Sequence, residues 1–219
     1  MIVTVASFKG GVGKTTTAIH LAAFFQGYAE TLLIDADPNR SAQSWAGRGE
    51  LPFKVVDEWQ AGEQLRPYGH VVIDTQARPT ADDLSILVGS CDLLVLPTTP
   101  DVMALDALVL TVNYLRTLQT AKYRILLTAI PPKPSKAGDE VRALLVEARL
   151  PLFRGGIRRY AAFQKAALAG VPVYEVKDPK AEDAWQDYEG VGQEILLATE
   201  PERKLESHPE TYEDDFPIF

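Results

Sequence analysis

Nine residues near the N-terminus, Ser7-Phe8-Lys9-Gly10-Gly11-Val12-Gly13-Lys14-Thr15, constrain this chain more than any other stretch. A strand-like run, Val3 to Ala6, precedes the glycines. A helix-like run from Thr15 to Gln26 follows, with Ile19, Leu21, Ala22 and Phe25 as apolar positions. Strand, glycine-rich turn and helix together form the setting in which a backbone wraps a phosphate. Glycines let the chain curl until successive N–H groups point inward. The helix start adds partial positive charge. Lys14 brings a full charge for β- and γ-phosphates, and the Thr15 hydroxyl a ligand for Mg²⁺. The pattern departs from G-x-x-x-x-G-K-[ST] at its first position only. A plain turn is the bland alternative, but Gly-Lys-Thr at a helix start directly after a strand is a demanding coincidence.

The rest of the body alternates in the same way. Thr31 to Ile34, His70 to Asp74, Leu93 to Leu96 and Arg124 to Ile130 read as strands, and Phe53 to Val56 as a short edge strand. Asp82 to Val88, Met103 to Leu118, Asp139 to Arg149 and Tyr160 to Ala169 read as helices. Continuous apolar strands between helices indicate a parallel sheet buried on both faces. The expectation is one doubly wound α/β domain over residues 1–198, a P-loop NTPase fold with a mainly parallel sheet and helices on both faces. Residues 199–219, acidic and proline-containing, read as a flexible tail.

Composition narrows the function. One cysteine, Cys91, excludes an intrachain disulfide and any multi-thiolate metal or cluster site, and fits a reducing, cytoplasmic compartment. No apolar run reaches the ~18–20 residues of a membrane span, and the N-terminus lacks the basic start of a signal peptide. The three histidines, His20, His70 and His208, share no ligand spacing. Net charge is −8, which argues against nucleic acid on its own, but it is unevenly spread. Glu200 to Phe219 carries seven acids and two bases, whereas Arg149 to Lys180 carries seven bases and two acids.

Two apolar strands run into carboxylates, where open α/β sheets place ligands. Leu32-Leu33-Ile34 leads to Asp35-Ala36-Asp37-Pro38-Asn39, and Val71-Val72-Ile73 leads to Asp74. Asp37 or Asn39 also reads as a cap for a helix over Arg40 to Trp45.

Lys9-Gly10-Gly11-Val12-Gly13-Lys14-Thr15-Thr16 resembles the deviant Walker A motif of the ParA/MinD family of ATPases. The likeness extends over nearly the whole body. Asp35-Ala36-Asp37-Pro38 is similar to the family's switch I, and Asp74 to its Walker B aspartate. Residues 74–79 depart from the usual D-x-P-P of switch II, which leaves the role of Gln76 open. Phe153 to Arg159 and Gly170 to Glu175 are similar to the C-terminal part of small ParF-type plasmid partition ATPases. Asp74 to Pro79 is similar to the McdA-type ATPases that space carboxysomes.

The resemblance implies an ATP·Mg²⁺ site. Lys9, Gly10, Gly11, Val12, Gly13, Lys14, Thr15, Thr16 and Pro131 would hold nucleotide. Thr15, Asp35 and Asp74 would hold Mg²⁺, partly through water, and Asp37 would position the attacking water. Lys9 would reach the partner's phosphates in an ATP-sandwich homodimer. A second lysine five residues before the first cannot easily serve the same phosphate from the same loop, which agrees with a role in trans.

The family further implies slow, partner-stimulated hydrolysis, ATP-gated binding of non-specific nucleoid DNA, and a cargo adaptor protein. Cargo would be a plasmid, chromosome or carboxysome. Arg154, Arg158, Arg159 and Lys165 are the DNA candidates, through salt-sensitive phosphate contacts. No membrane role is expected, because the acidic tail is unlike the basic amphipathic helix of MinD-like relatives. A lone cysteine excludes the nitrogenase iron protein. An ATP-dependent small-molecule kinase or synthetase sharing the loop is the alternative.

Overall fold

A computed structural model describes residues 1–64 and 67–199; of the segment read as a tail, Thr199 ends a helix and residues 200–219 lie outside the described residues. The strands are β1 (Ile2–Ser7), β2 (Thr31–Ala36), β3 (Lys54–Asp57), β4 (His70–Ala77), β5 (Leu93–Thr98) and β6 (Tyr123–Leu127). The helices are α1 (Lys14–Gln26), α2 (Ser41–Ala46), α3 (Glu58–Gln64), α4 (Ala81–Ser90), α5 (Val102–Thr117), α6 (Ala137–Glu147), α7 (Ala161–Ala169) and α8 (Ala181–Thr199). All ladders are parallel, in the order β3-β2-β4-β1-β5-β6. This is the expected α/β sheet, with Lys54–Asp57 as the edge strand.

Strand side chains alternate between two cores. Val3, Val5, Leu93 and Val95 pack with α1, α2, α7 and α8. Ala6, Leu94, Leu96, Ile125 and Leu127 pack with α4, α5 and α6. A smaller cluster sets Leu32, Ile34, Val56 and Val71 against Ala61 of α3. Both faces are covered, so the strands have no polar side to show, and the sequence runs apolar through them.

The reading of elements differs from the structure in three places. The last strand stops at Leu127 rather than Ile130, because Thr128 turns its hydroxyl onto the carbonyls of Val12 (2.8 Å) and Thr98 (3.1 Å). Helices α3 and α8 were not among the expected elements. Helix α8 is the longest of the described elements and packs on α1, its Gly192 lying so near Phe24 that a Cβ would sit 2.2 Å from the ring. Third, neither Asp37 nor Asn39 caps α2. Asp35 Oδ2 accepts from Gln43 N at 2.9 Å instead, and Asp37 Oδ1 accepts from the backbone and side-chain amides of Asn39.

The outer edge of β6 is closed by the segment 151–159, which runs beside it without forming a regular strand. Phe153 N donates to Ile125 O (3.0 Å), and Ile157 N to Leu127 O (2.8 Å). The amides on the far side of this segment meet acids of α8. Arg154 N and Gly155 N donate to Glu194, and Arg158 N donates to Asp187. An edge that would otherwise pair with another chain is thereby satisfied from within.

Candidate nucleotide-binding site

The loop between β1 and α1 leaves the sheet at its carboxyl end. Gly11 and Gly13 take φ of 78° and 87°, the left-handed region that side chains avoid, and Gly13 precedes the first turn of α1. No side chain caps that helix, so its first amides are directed at the loop rather than consumed. Thr128 anchors the loop from the opposite side through its bond to Val12 O. Lys14 is buried, 7% exposed, at the start of α1. These are the components of a phosphate seat: oriented amides, a helix start and a buried ammonium.

Three carboxylates approach the seat from the adjacent strand ends. Asp35 and Asp74 are register partners on β2 and β4, and Asp37 lies two residues beyond Asp35. Burial pushes the Asp35 carboxyl upward, although amide bonds from Gln43 and Asp37 oppose this. Asp74 is fully buried, and neither of its oxygens has a hydrogen-bond partner. Burial raises its pKa to about 7; the nearby Thr15 hydroxyl favours the charged form without closing a bond, and Asp35 adds repulsion.

A buried, unpartnered carboxylate beside a threonine hydroxyl fits a hard divalent cation. Among the described residues no three His, Cys, Asp or Glu side chains gather to cage a metal alone. An ion held here would take few protein ligands and complete its shell with phosphate oxygens and water, the habit of Mg²⁺. Thr15, Asp35 and Asp74 are the residues that would hold it.

Two clefts flank the loop. One, of about 310 Å³, is lined by Gly11 to Gly13, Thr16, Thr128, Ala129 and a wall that includes Arg159, Tyr160, Phe163 and Gln164. Its aromatic and amide side chains suit a base, and it opens on the phosphate seat. The second, of about 350 Å³, holds Lys9, Gly10, Thr99, Asp101, Pro131 and Arg159. Pro131 lines this one, not the cleft bearing Thr16. Lys9 Nζ lies 2.6 Å from Asp101 Oδ1, and its side chain is 32% exposed. The two lysines of the loop therefore occupy different surroundings: Lys14 is buried in the seat, and Lys9 stands at its rim.

The basic residues do not form one free patch. Arg158 is held by Asp187 through Nε and Nη2 and stacks over Tyr160. Lys165 pairs with Asp178 at 2.7 Å. Arg154 lines a separate cleft with Arg124 and Glu194, while Arg159 borders the loop itself. Gln76 points towards the start of α4, with Nε2 3.4 Å from Asp83 Oδ2.

Sequence reasoning did not single out Asp101, although Thr99-Pro100-Asp101 before a helix carries a capping signal. It noted His20 only as sharing no ligand spacing with the other histidines. His20 is fully buried, stacked on Tyr188, with Nδ1 2.6 Å from Thr16 O and Nε2 accepting from Val173 N. The acceptor role of Nε2 places the proton on Nδ1, which donates to Thr16. It thus ties the turn after the phosphate loop to the segment leading into α8.

The model of the CobQ/CobB/MinD/ParA nucleotide-binding domain matches residues 3–173, which include the loop, all three carboxylates and every lining residue of the two clefts except Tyr188. The chain belongs to that family. Over 201 residues it is 37% identical to maintenance of carboxysome distribution protein A of Gloeobacter kilaueensis, covering 89% of this chain and 93% of the relative. The protein of the same description from Halothiobacillus neapolitanus is 25% identical, over 78% of this chain and 86% of its own length. Among solved structures, a Borrelia burgdorferi plasmid partition protein bound to AMPPNP superposes with a TM-score of 0.67 at 20% identity, covering 90% of this chain and 98% of its own. Apo McdA of Cyanothece superposes at 0.65 and 19% identity, covering 87% and 98%. At those identities the superpositions show the shared fold.

Proposed function

We propose that this family member is a ParA-type ATPase that works as an ATP-sandwich homodimer and positions a cargo on nucleoid DNA in the cytoplasm. Carboxysomes are the cargo favoured by its relatives, since the likeness to the Gloeobacter protein runs through nearly the whole of both chains. The observation that carries the reading is the division between the two loop lysines. Lys14 is enclosed where phosphate oxygens would sit, and Lys9 stands partly exposed at the rim. A lysine on the rim is placed to meet phosphates offered by a second subunit.

In this scheme the loop amides and Lys14 hold ATP and offset its charge. Mg²⁺ held by Thr15, Asp35 and Asp74 would supply positive charge to offset that of the phosphate oxygens. Asp37 keeps one oxygen on Asn39 and has the other for a water in line with the γ-phosphate. Lys9 of the partner subunit supplies the last positive charge, as an arginine finger does. Dimerisation then doubles a weak DNA-binding surface, so DNA affinity follows nucleotide state. Arg154 and Arg159, whose guanidinium groups form no ion pair among the described residues, lead as phosphate contacts. Arg158 and Lys165 contribute through charge already shared with Asp187 and Asp178. An adaptor protein on the cargo stimulates hydrolysis and so releases the dimer.

Sedimentation in ATP·Mg²⁺ tests the sandwich. Wild type is expected to dimerise and Lys9→Ala to stay monomeric while still binding nucleotide. Asp37→Ala is expected to accumulate as an ATP dimer. A Lys9→Ala protein with wild-type dimerisation and hydrolysis would instead support a small-molecule enzyme that merely shares the loop.

A further inference from the structure

We propose that the acidic segment 200–219 of this chain docks in the cleft between α8 and the segment 151–159, where its carboxylates pair with Arg124 and Arg154. Docked there, it competes with nucleic-acid phosphates for Arg154. The competition rests on the DNA reading above; the docking does not.

The cleft encloses about 390 Å³ between Arg124, Leu152, Arg154, Glu194 and Leu197. Its two cations have little local claim on them. Arg154 forms no ion pair among the described residues, and Arg124 approaches Glu194 only to 3.9 Å. Elsewhere the bases are engaged: Arg158, Lys165 and Lys180 each meet an aspartate at 2.7 Å. Glu194 is the one acid lining the cleft. It is 18% exposed, and its two oxygens accept from Arg154 N at 3.0 Å and Gly155 N at 2.9 Å. Beside the arginines lies apolar surface, with Leu197 of the last turn of α8 largely exposed. A ligand that fits here carries carboxylates next to an apolar side chain.

Segment 200–219 has that chemistry and starts in the right place. Leu197 and Ala198 line the cleft and Thr199 ends α8, so the chain leaves the helix at the rim of the cleft. The segment carries seven acids and two bases, and Glu213-Asp214-Asp215 runs directly into Phe216. The fourteen residues from Thr199 to Glu213 reach at most ~50 Å, ample for turning back, and closing such a loop costs little more than closing a shorter one. Exposed carboxylate–arginine pairs are individually weak and screened by salt. A tethered partner nevertheless acts at an effective concentration of millimolar order, so weak pairs suffice to occupy the cleft. A duplex, with its dense row of phosphates, displaces the segment where several arginines act together. One subunit alone is thereby a poorer DNA binder than its arginines suggest.

The test uses the full chain with a nitroxide on Thr211→Cys, and Cys91→Ala to keep the label in one place. Paramagnetic broadening of backbone amide signals reads where the segment lies, and the same spectra report that each variant is folded. At low salt the amides of Leu152, Arg154 and Leu197 are expected to broaden, and to sharpen again at ~0.5 M salt. Replacing Glu213→Gln, Asp214→Asn and Asp215→Asn together is expected to remove most of the broadening, and Arg124→Gln to reduce it. Unlabelled, the same triple variant is expected to bind a random-sequence duplex in ATP·Mg²⁺ roughly 3- to 10-fold more tightly at low salt, with a smaller gain when Arg124→Gln is also present. Broadening that is absent, or that neutralising the acids leaves unchanged, would overturn the docking and leave the cleft to DNA or to an acidic partner. Tighter DNA binding without broadening would mean that the acids repel DNA from a distance, and would overturn it too. The expected broadening with no duplex bound by any variant would remove the DNA reading, and the competition with it, while the docking stands.

Discussion

Asp74 is ionised only at a cost in the nucleotide-free protein. With its pKa raised from 3.8 to about 7, holding the charge at pH 8 costs on the order of 4 kcal/mol. A cation held at the proposed site would turn that cost into affinity. Asp74→Asn is therefore expected to raise the thermal midpoint of the nucleotide-free protein at pH 8 and to abolish the further rise produced by ATP·Mg²⁺. Scanning calorimetry with and without ligand reads both; a variant that melts lower than wild type without ligand contradicts the assignment. His20 works in the opposite sense. Burial lowers its pKa from 6.5 to about 4. Above pH 6.5 it is neutral in both folded and unfolded chains and adds no pH dependence. Between about 6.5 and 4 the unfolded chain gains a proton that the folded protein refuses, and roughly 3 kcal/mol of stability is lost. His20→Gln should flatten that part of the pH–stability curve relative to wild type, whatever its absolute stability. Urea melts across pH 4.5–7 measure the slope, and an unchanged slope would show that His20 is not held neutral.

At the scale of elements, α8 acts as a fastener. Its Glu194 accepts the amides of Arg154 and Gly155, and Asp187 accepts that of Arg158 while gripping the same residue's guanidinium. Glu194→Ala leaves two amides to solvent or unpaired and is expected to cost ~1–3 kcal/mol in denaturant melts. Exchange protection should fall first at Arg154 and Gly155; unaltered protection there would mean the segment is held by β6 alone. This helix was missed in the sequence although Ala184, Tyr188, Val191 and Ile195 recur at helical spacing. Its charged positions and two glycines masked the pattern, and only the Phe24 ring shows why Gly192 is tolerated. By contrast β1, β2, β4 and β5 were plain, because burial on both faces leaves an unbroken apolar run. Among the described side chains of the short α3, Ala61 is the one in its core cluster, too little pattern to announce a helix.

For the whole molecule, the proposed phosphate seat was legible because a seat of this kind is built locally. Glycines, lysine and threonine within one loop carry the chemistry, and two strands ending in aspartates bring the rest to the same end of the sheet. Long-range pairings were not legible. Nothing in the sequence tells that Lys9 meets Asp101, that Arg158 is spent on Asp187, or that Lys165 is spent on Asp178. The local excess of bases from Arg149 to Lys180 therefore overstates the free positive charge of one subunit. That sharpens the central claim, since a surface so weak alone should hold DNA only when doubled. The most direct test is anisotropy of a labelled random-sequence duplex titrated with full-length protein, in ATP·Mg²⁺ and separately in ADP·Mg²⁺. The account predicts binding with ATP that weakens steeply with salt, and little or none with ADP. Equal binding in both nucleotides, or none in either at low salt, would contradict it.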